Sequence, residues 1–251
     1  MSLVRSPMRA SWLGRVPYRP TYELQRKLME QRKTDEIPDT LLLLEHGHVF
    51  TLGRRADDTH LVTSGELIEA GRAEVVETDR GGEATYHGPG QLVAYPIISI
   101  RELKLGPVAY VRLLEETIIQ LIAEYGIHGH RVVGKTGVWV GGEPGRKPID
   151  GANPTGRKIA AIGVRISGGV AMHGMALNVS TDLGYYSHIV PCGMPGLDMT
   201  SISQETGRLV DTEAVARFWA ELFADILFFE IDWISASSLT DIQSVQVPVS
   251  V

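Results

Sequence analysis

Arg80-Gly81-Gly82-Glu83-Ala84-Thr85-Tyr86-His87-Gly88-Pro89-Gly90-Gln91 packs four glycines, a proline, an arginine and a histidine into twelve residues between two β-like stretches. Glycine at this density lets backbone approach a ligand closely and exposes N–H groups. The run is not a P-loop, because no Gly-Lys-Ser/Thr follows. It is not a dinucleotide fingerprint either, because the glycine spacing differs and no helix begins there. Taken alone, the run reads plainly as an ordinary glycine-rich turn.

Outward from this run, Leu92 to Ile100 is rich in β-formers, with Pro96 marking a strand edge or an interruption. Val108 to Tyr125 reads as a helix, with Pro107 in its first turn and Gly126 just past its end. Val111, Leu114, Ile118, Leu121, Ile122 and Tyr125 form its apolar stripe. Lys158 to Ser167 and Val170 to Val179 read as strands joined by a tight turn at Gly168-Gly169. A further helix runs from about Asp211 to Phe229, with Val215, Trp219, Leu222, Phe223 and Ile226 on one face. On the N-terminal side, Thr21 to Lys33 reads as a helix with Thr21 as N-cap. Leu41 to Leu44 is a continuous apolar run, read as a buried strand, and Val49 to Leu52 as a short one. Gly141 to Arg157 has no apolar period and reads as a long loop or hairpin extension. The order is helix, strands, helix, strands, helix, which predicts an α/β (α+β) fold in a single domain, a central mixed sheet flanked by helices. No linker divides it. Residues 12–234 are expected to form the domain, with flexible segments at 1–11 and 235–251.

The chain has 251 residues, 43% of them hydrophobic and 22% charged, as in a soluble globular protein. No apolar stretch approaches the roughly 20 residues of a membrane span. Net charge is −6, which disfavours nucleic-acid binding. Residues 1–33 are nonetheless basic, with eight Lys/Arg against two Glu, and basic positions at Arg54, Arg55, Arg80, Arg146, Lys147 and Arg157 are either solvated surface or a face for an acidic partner. Residues 1–20 carry four Arg and no acid, which a transit peptide would share. Pro7, Pro17 and Pro20 spoil an amphipathic helix there, and no apolar core for secretion is present, so a cytoplasmic protein is expected.

Cys192 is the single cysteine, set in Val190-Pro-Cys-Gly-Met-Pro-Gly196. It cannot make an intrachain disulfide, and proline and glycine on both sides keep it out of a regular core helix or strand. An inert thiol and a reactive one both remain open on this ground. His87 and His173 are structural hydrogen-bonders or site residues. His46 and His48 have no third and fourth ligand at a sensible spacing, so no metal is expected. Asp198 and Glu205 read as solvated charges.

The glycine-rich run resembles the signature of the octanoyltransferases of lipoate biosynthesis, the lipoyl(octanoyl) transferase family. Further blocks fall in the same order: Leu13-Gly-Arg-Val-Pro-Tyr18 with Leu24-Gln25, Leu44-Glu-His-Gly-His-Val-Phe-Thr-Leu-Gly53, Gly156-Arg-Lys-Ile-Ala-Ala-Ile-Gly163, His173-Gly-Met-Ala-Leu-Asn178 and Pro191-Cys-Gly193. Together they cover roughly residues 12 to 225. The stretch from Gly141 to Gly156 looks longer than is typical. The resemblance implies a fold similar to the catalytic domains of biotin protein ligases and lipoate ligases. It implies Cys192 as acyl-thioester nucleophile and Lys158 as its acid/base partner. It implies substrate contacts at Arg80, Gly81, Gly82, Glu83, Ala84, Thr85, Tyr86 and His87, at Ala161, Ile162 and Gly163, and at Gly174, Met175 and Ala176. The implied donor is octanoyl-acyl carrier protein. The implied acceptors are lysines of the lipoyl domains of 2-oxoacid dehydrogenase complexes and of the glycine cleavage H protein. No cofactor, nucleic acid or membrane is implied.

Thiolate attack on a thioester is near thermoneutral, and aminolysis of the acyl-enzyme to an amide runs downhill, so covalent catalysis would divide the transfer into two easier steps without ATP. An ATP-dependent lipoate or biotin ligase would share the lysine but needs no nucleophilic cysteine. A non-catalytic binder of lipoyl domains or acyl carrier protein would need neither Lys158 nor Cys192. A cysteine hydrolase would need a Cys-His-Asn/Asp set, and the sequence alone assigns none.

Overall fold

The structure is a computed structural model that describes residues 6–62, 72–144 and 153–240. The first strand, β1 (Ser6–Val16), leads into helix α1 (Tyr18–Lys33), strand β2 (Thr40–His46) and the short β3 (Val49–Leu52). Strands β4 (Glu74–Glu77), β5 (Ala84–His87) and β6 (Gln91–Ile97) follow, then helix α2 (Pro107–Ala123). Next come β7 (Gly129–His130), β8 (Val138–Val140), β9 (Arg157–Ser167) and β10 (Val170–Asn178). The chain continues through α3 (Ile202–Thr206), α4 (Thr212–Leu227), β11 (Phe229–Trp233) and α5 (Ala236–Thr240).

An eight-stranded sheet runs in the order β11-β1-β2-β6-β10-β9-β8-β7, and β4-β3-β5 form a separate three-stranded sheet. β1 pairs in parallel with both β2 and β11, while β2, β6, β10, β9, β8 and β7 are successively antiparallel. This is the expected mixed sheet. The run Leu41–Leu44 shows why it is covered on both faces. Leu41 and Leu43 pack into a cluster with α2 and α4, whereas Leu42 and Leu44 pack with Leu28 and Met29 of α1. Alternation on the strand sends successive side chains to opposite faces, so an unbroken apolar run is buried only between two helical layers.

Several boundaries differ from the sequence reading. α1 starts at Tyr18 with Pro17 at the N-cap, and Thr21 lies inside the helix, its Oγ1 donating to Pro17 O at 2.7 Å. Pro17 and Pro20 lack only N–H groups that a helix start leaves unpaired anyway, so the prolines mark the entry instead of forbidding it. β1 begins at Ser6, within the segment read as flexible at 1–11, because Ser6 to Ala10 pair with Phe229 to Trp233. Beyond Ser235, Ala236–Thr240 is helical and Leu239 is buried against the α1 layer. Residues 1–5 and 241–251 lie outside the described residues. Pro96 lies inside β6, paired with Leu41 of β2, while pairing with β10 runs only from Gln91 to Ala94, so the proline ends that one ladder and not the strand. Val170 pairs with Ser167, so Gly168 and Gly169 alone make the β9–β10 turn.

The glycine-rich run joins the two sheets. Residues 80–83 form a loop, 84–87 are β5 of the small sheet, and Gln91 opens β6 of the large one. Among the described residues, no helix is long and apolar enough to cross a membrane.

Candidate active site

Cys192 and Lys158, 34 residues apart in sequence, meet in space: Lys158 Nζ donates to Cys192 Sγ at 3.1 Å. Each is placed by a different element. Lys158 is the second residue of β9. Its backbone N–H donates to Asp198 O at 2.8 Å, and Thr200 N donates to Lys158 O at 2.9 Å, which ties the segment after the cysteine to the strand that carries the lysine. Cys192 sits in a single turn of 3-10 helix, Pro191–Gly193, with a left-handed backbone (φ 54°, ψ 31°). The entrance to that turn is held by Val190 N donating to His60 O at 2.9 Å.

Lys158 is 1% exposed, and its ammonium lies 4.8 Å from the centroid of the Trp139 ring. A buried ammonium needs such partners, because removal from water is costly. Gly137 makes the geometry possible. A Cβ there would fall 2.4 Å from Ala160 O and 2.7 Å from Lys158 Cε. Gly137 N donates in turn to Glu115 Oε1 at 3.1 Å, and Glu115 is fully buried and paired with Arg131 and Arg112.

The pair opens into a cavity of about 750 Å³, within the range of small-molecule sites. Of the sequence-predicted substrate positions, Arg80, Gly81, Gly82, Glu83, Ala84, Thr85, His87, Ala161, Ile162, Gly163, Gly174, Met175 and Ala176 all line it. The β9–β10 register explains why two distant triplets meet: Gly163 pairs with Gly174, Ile162 with Met175, and Ala161 with Ala176. Four of these six residues carry no side chain beyond Cβ, so the sheet surface stays bare there. The 80–83 loop lies on it, with Gly81 N donating to Val164 O at 3.0 Å.

Tyr86 does not line the cavity. Strand alternation turns it into the small sheet's core, where it stacks on Tyr185 and its hydroxyl contacts His48 Nδ1 at 2.8 Å. Arg80 is a buried wall residue. Its guanidinium donates to Thr51 O at 2.6 Å, Glu83 O at 2.7 Å and Thr51 Oγ1 at 2.9 Å, fixing the loop to β3. Burial pushes its pKa down, with the nearby Cys192 opposing that shift.

His87 Nδ1 is 2.8 Å from Gln91 Oε1 and therefore donates, which leaves Nε2 as the acceptor. Burial holds His87 well below its ordinary pKa, with His46 adding to the effect, so the ring is neutral. His173 contacts Asp79 Oδ1 at 2.8 Å through Nε2, and burial, with Arg80 and Arg165, pushes it down to about 3. Asp79 also pairs with Arg165. His46 bonds Val16 O and Tyr95 OH, whereas His48 Nδ1 contacts Tyr86 OH. Glu205 is not a solvated charge. It takes Arg157 through both oxygens at 2.9 and 3.0 Å and Thr200 Oγ1 at 2.5 Å, which lowers its pKa. Asp198 is exposed, as expected. Arg54 and Arg55 are exposed and border the cavity, whereas Arg146 and Lys147 lie outside the described residues. Tyr18, Tyr95, Val111, Lys135, Thr136 and Met194 also line the cavity, and none of them is among the substrate positions the resemblance implies.

The family model described as the lipoyl protein ligase A/B catalytic domain matches residues 17–224. An octanoyltransferase of Thermobifida fusca (strain YX) is 48% identical over 203 residues, covering 79% of this chain and 80% of that protein. An octanoyltransferase of Koribacter versatilis (strain Ellin345) is 44% identical over 232 residues, covering 92% and 87%. Among solved structures, the bi-partite lipoate protein ligase of Thermoplasma acidophilum superposes with a TM-score of 0.63 at 16% identity, covering 94% of this chain and 91% of that one. The biotin protein ligase of Aquifex aeolicus, in complex with biotin and ATP, gives 0.50 at 12% identity, covering 87% and 70%. These two likenesses are of fold.

Proposed function

The chain belongs to the lipoyl protein ligase A/B catalytic-domain family, among its octanoyltransferases, and from that membership we propose an acyl transfer through a thioester on Cys192. It is an acyltransferase of protein lipoylation. The donor is octanoyl-acyl carrier protein, and the acceptor is a lysine of a lipoyl domain, on 2-oxoacid dehydrogenase complexes or the glycine cleavage H protein. The observation that carries this reading is the 3.1 Å contact from Lys158 Nζ to Cys192 Sγ at the wall of a cavity.

The steps balance as follows. Cys192 thiolate attacks the donor carbonyl. A C–S bond forms to the enzyme, the C–S bond to the carrier breaks, and the departing carrier thiolate takes a proton from the Lys158 ammonium. Lys158 is then a neutral amine. When the acceptor amine attacks the acyl-enzyme, a C–N bond forms, Cys192 leaves as thiolate, and Lys158 takes the proton, which restores the starting pair. His87 and the Arg80–Glu83 loop shape the acyl groove beside it. Arg54 and Arg55 at the cavity mouth suit an acidic carrier protein. A single cysteine used as a thiolate suits the reducing cytoplasm.

The test is transfer without nucleotide. With octanoyl-acyl carrier protein and an unmodified lipoyl domain, the domain gains one octanoyl group in the absence of ATP. A strict ATP requirement would replace this reading with that of a ligase.

A further inference from the structure

Five of the described residues lining the cavity are Lys or Arg, namely Arg54, Arg55, Arg80, Lys135 and Lys158, and one, Glu83, carries a carboxylate. A protein lysine arrives as an ammonium at neutral pH, because its ordinary pKa is about 10.4. Lys158 is neutral once the acyl-enzyme has formed, and the remaining cations of the lining, Arg54, Arg55, Arg80 and Lys135, repel that ammonium. We propose that Glu83 is the acceptor anchor: its carboxylate binds the incoming lysine ammonium beside the Cys192 acyl-enzyme. The proposal rests on the thioester reading above and adds to it the group that admits the acceptor.

Placement supports this role. Glu83 ends the loop that precedes β5, and β5 packs on the Pro191–Gly193 turn. A Cβ on Gly193 would lie 2.9 Å from Glu83 Oε2, so the absent side chain at Gly193 lets the carboxylate close against the residue that follows the nucleophile. Lys158 reaches Cys192 from β9, and Glu83 reaches the same turn from the loop before β5. The Glu83 side chain is 23% exposed and lines the cavity, where a ligand can reach it. Arg55 Nη2 stands 3.6 Å from Glu83 Oε1, beyond a normal hydrogen bond, and Arg55 is 72% exposed. An exposed pair at this distance is readily exchanged for a lysine ammonium.

In the step itself, Glu83 holds the ammonium while one proton leaves to solvent. The neutral amine attacks the thioester carbonyl, the C–N bond forms and the C–S bond breaks. Lys158 takes the second proton and Cys192 departs as thiolate.

The experiment separates the half-reactions. The octanoyl-enzyme is formed from octanoyl-acyl carrier protein and isolated for the unaltered protein, E83Q and E83D. Its discharge is then timed against a lipoyl domain and, separately, against hydroxylamine, which is neutral at pH 7. E83Q is expected to slow discharge to the lipoyl domain roughly tenfold more than discharge to hydroxylamine, the effect of losing one charge-assisted contact. E83D, which keeps the charge, recovers most of that ratio. Equal effects on both nucleophiles, or no effect on either, would overturn the proposal, as would a loss in E83Q confined to acylation by the donor. Absence of any adduct on the unaltered protein would overturn the thioester reading and this proposal together.

Discussion

Lys158 is a cation in an almost solvent-free place, and what surrounds it decides what it can do. Trp139 offers a ring face, Cys192 an acceptor sulfur, and Gly137 an empty volume where any side chain would press on Lys158 Cε. Gly137 also has φ +125°, a backbone region that strains other residues. Gly137→Ala should therefore shift the lysine head away from the sulfur. Turnover is expected to fall about 10²-fold, the effect of misplacing a reacting group by an ångström, with a stability loss of roughly 1–3 kcal/mol. Steady-state kinetics beside urea unfolding checks this, and unaltered turnover would contradict it. The sequence marked Lys158 and Cys192 through the resemblance of their flanking motifs. Nothing in it marked Gly137 or Trp139, whose roles arise only when β8 and β9 are brought together.

At the scale of the element, strand β2 carries the clearest message. Four leucines in a row cannot be told from a buried helix piece by periodicity alone, and the structure makes them the centre of a strand. Odd leucines face the α2–α4 layer and even ones face α1. Leu42→Ala should cost about 2–5 kcal/mol, since Leu42 is fully buried between α1 and β6. A shift of the urea midpoint with an unchanged m-value measures it, and a midpoint equal to that of the unaltered protein would refute the two-layer packing. Boundaries were less legible than existence. The start of α1 was placed three residues late because prolines at a helix entry were read as breakers. β1 was read as starting late because its first residues gain their partner from β11, more than 200 residues away. No local pattern announces such pairing.

Across the whole molecule, burial neutralises several histidines around the cavity. His46 is pushed from the ordinary 6.5 to about 4 by burial, and His173 from 6.5 to about 3 by burial, Arg80 and Arg165. Burial also holds His87 well below its ordinary value, with His46 adding to the effect. These folded-state values lie below those of the unfolded chain. Unfolded histidines therefore take up protons as pH falls below about 6.5 while the folded ones do not. Their contribution to stability is complete above about 6.5 and is lost progressively as pH falls towards about 4 and then 3. Urea midpoints should decline between pH 7 and pH 5, and His46→Gln should flatten that decline. A flat profile for the unaltered protein would contradict the neutral, buried imidazoles. At this scale the fold class and most of the groove were legible, because the glycine and alanine positions that clear the β9–β10 surface sit inside compact motifs. The partners of Arg80 and the five-to-one excess of cations in the cavity lining emerge only from the closed tertiary structure.

In the proposed transfer, one thiol carries the acyl group between two proteins. Intact-mass measurement after brief mixing with octanoyl-acyl carrier protein tests this. The expected result is a single added octanoyl group, released by hydroxylamine and absent in Cys192→Ser. An adduct that persists in Cys192→Ser would contradict it.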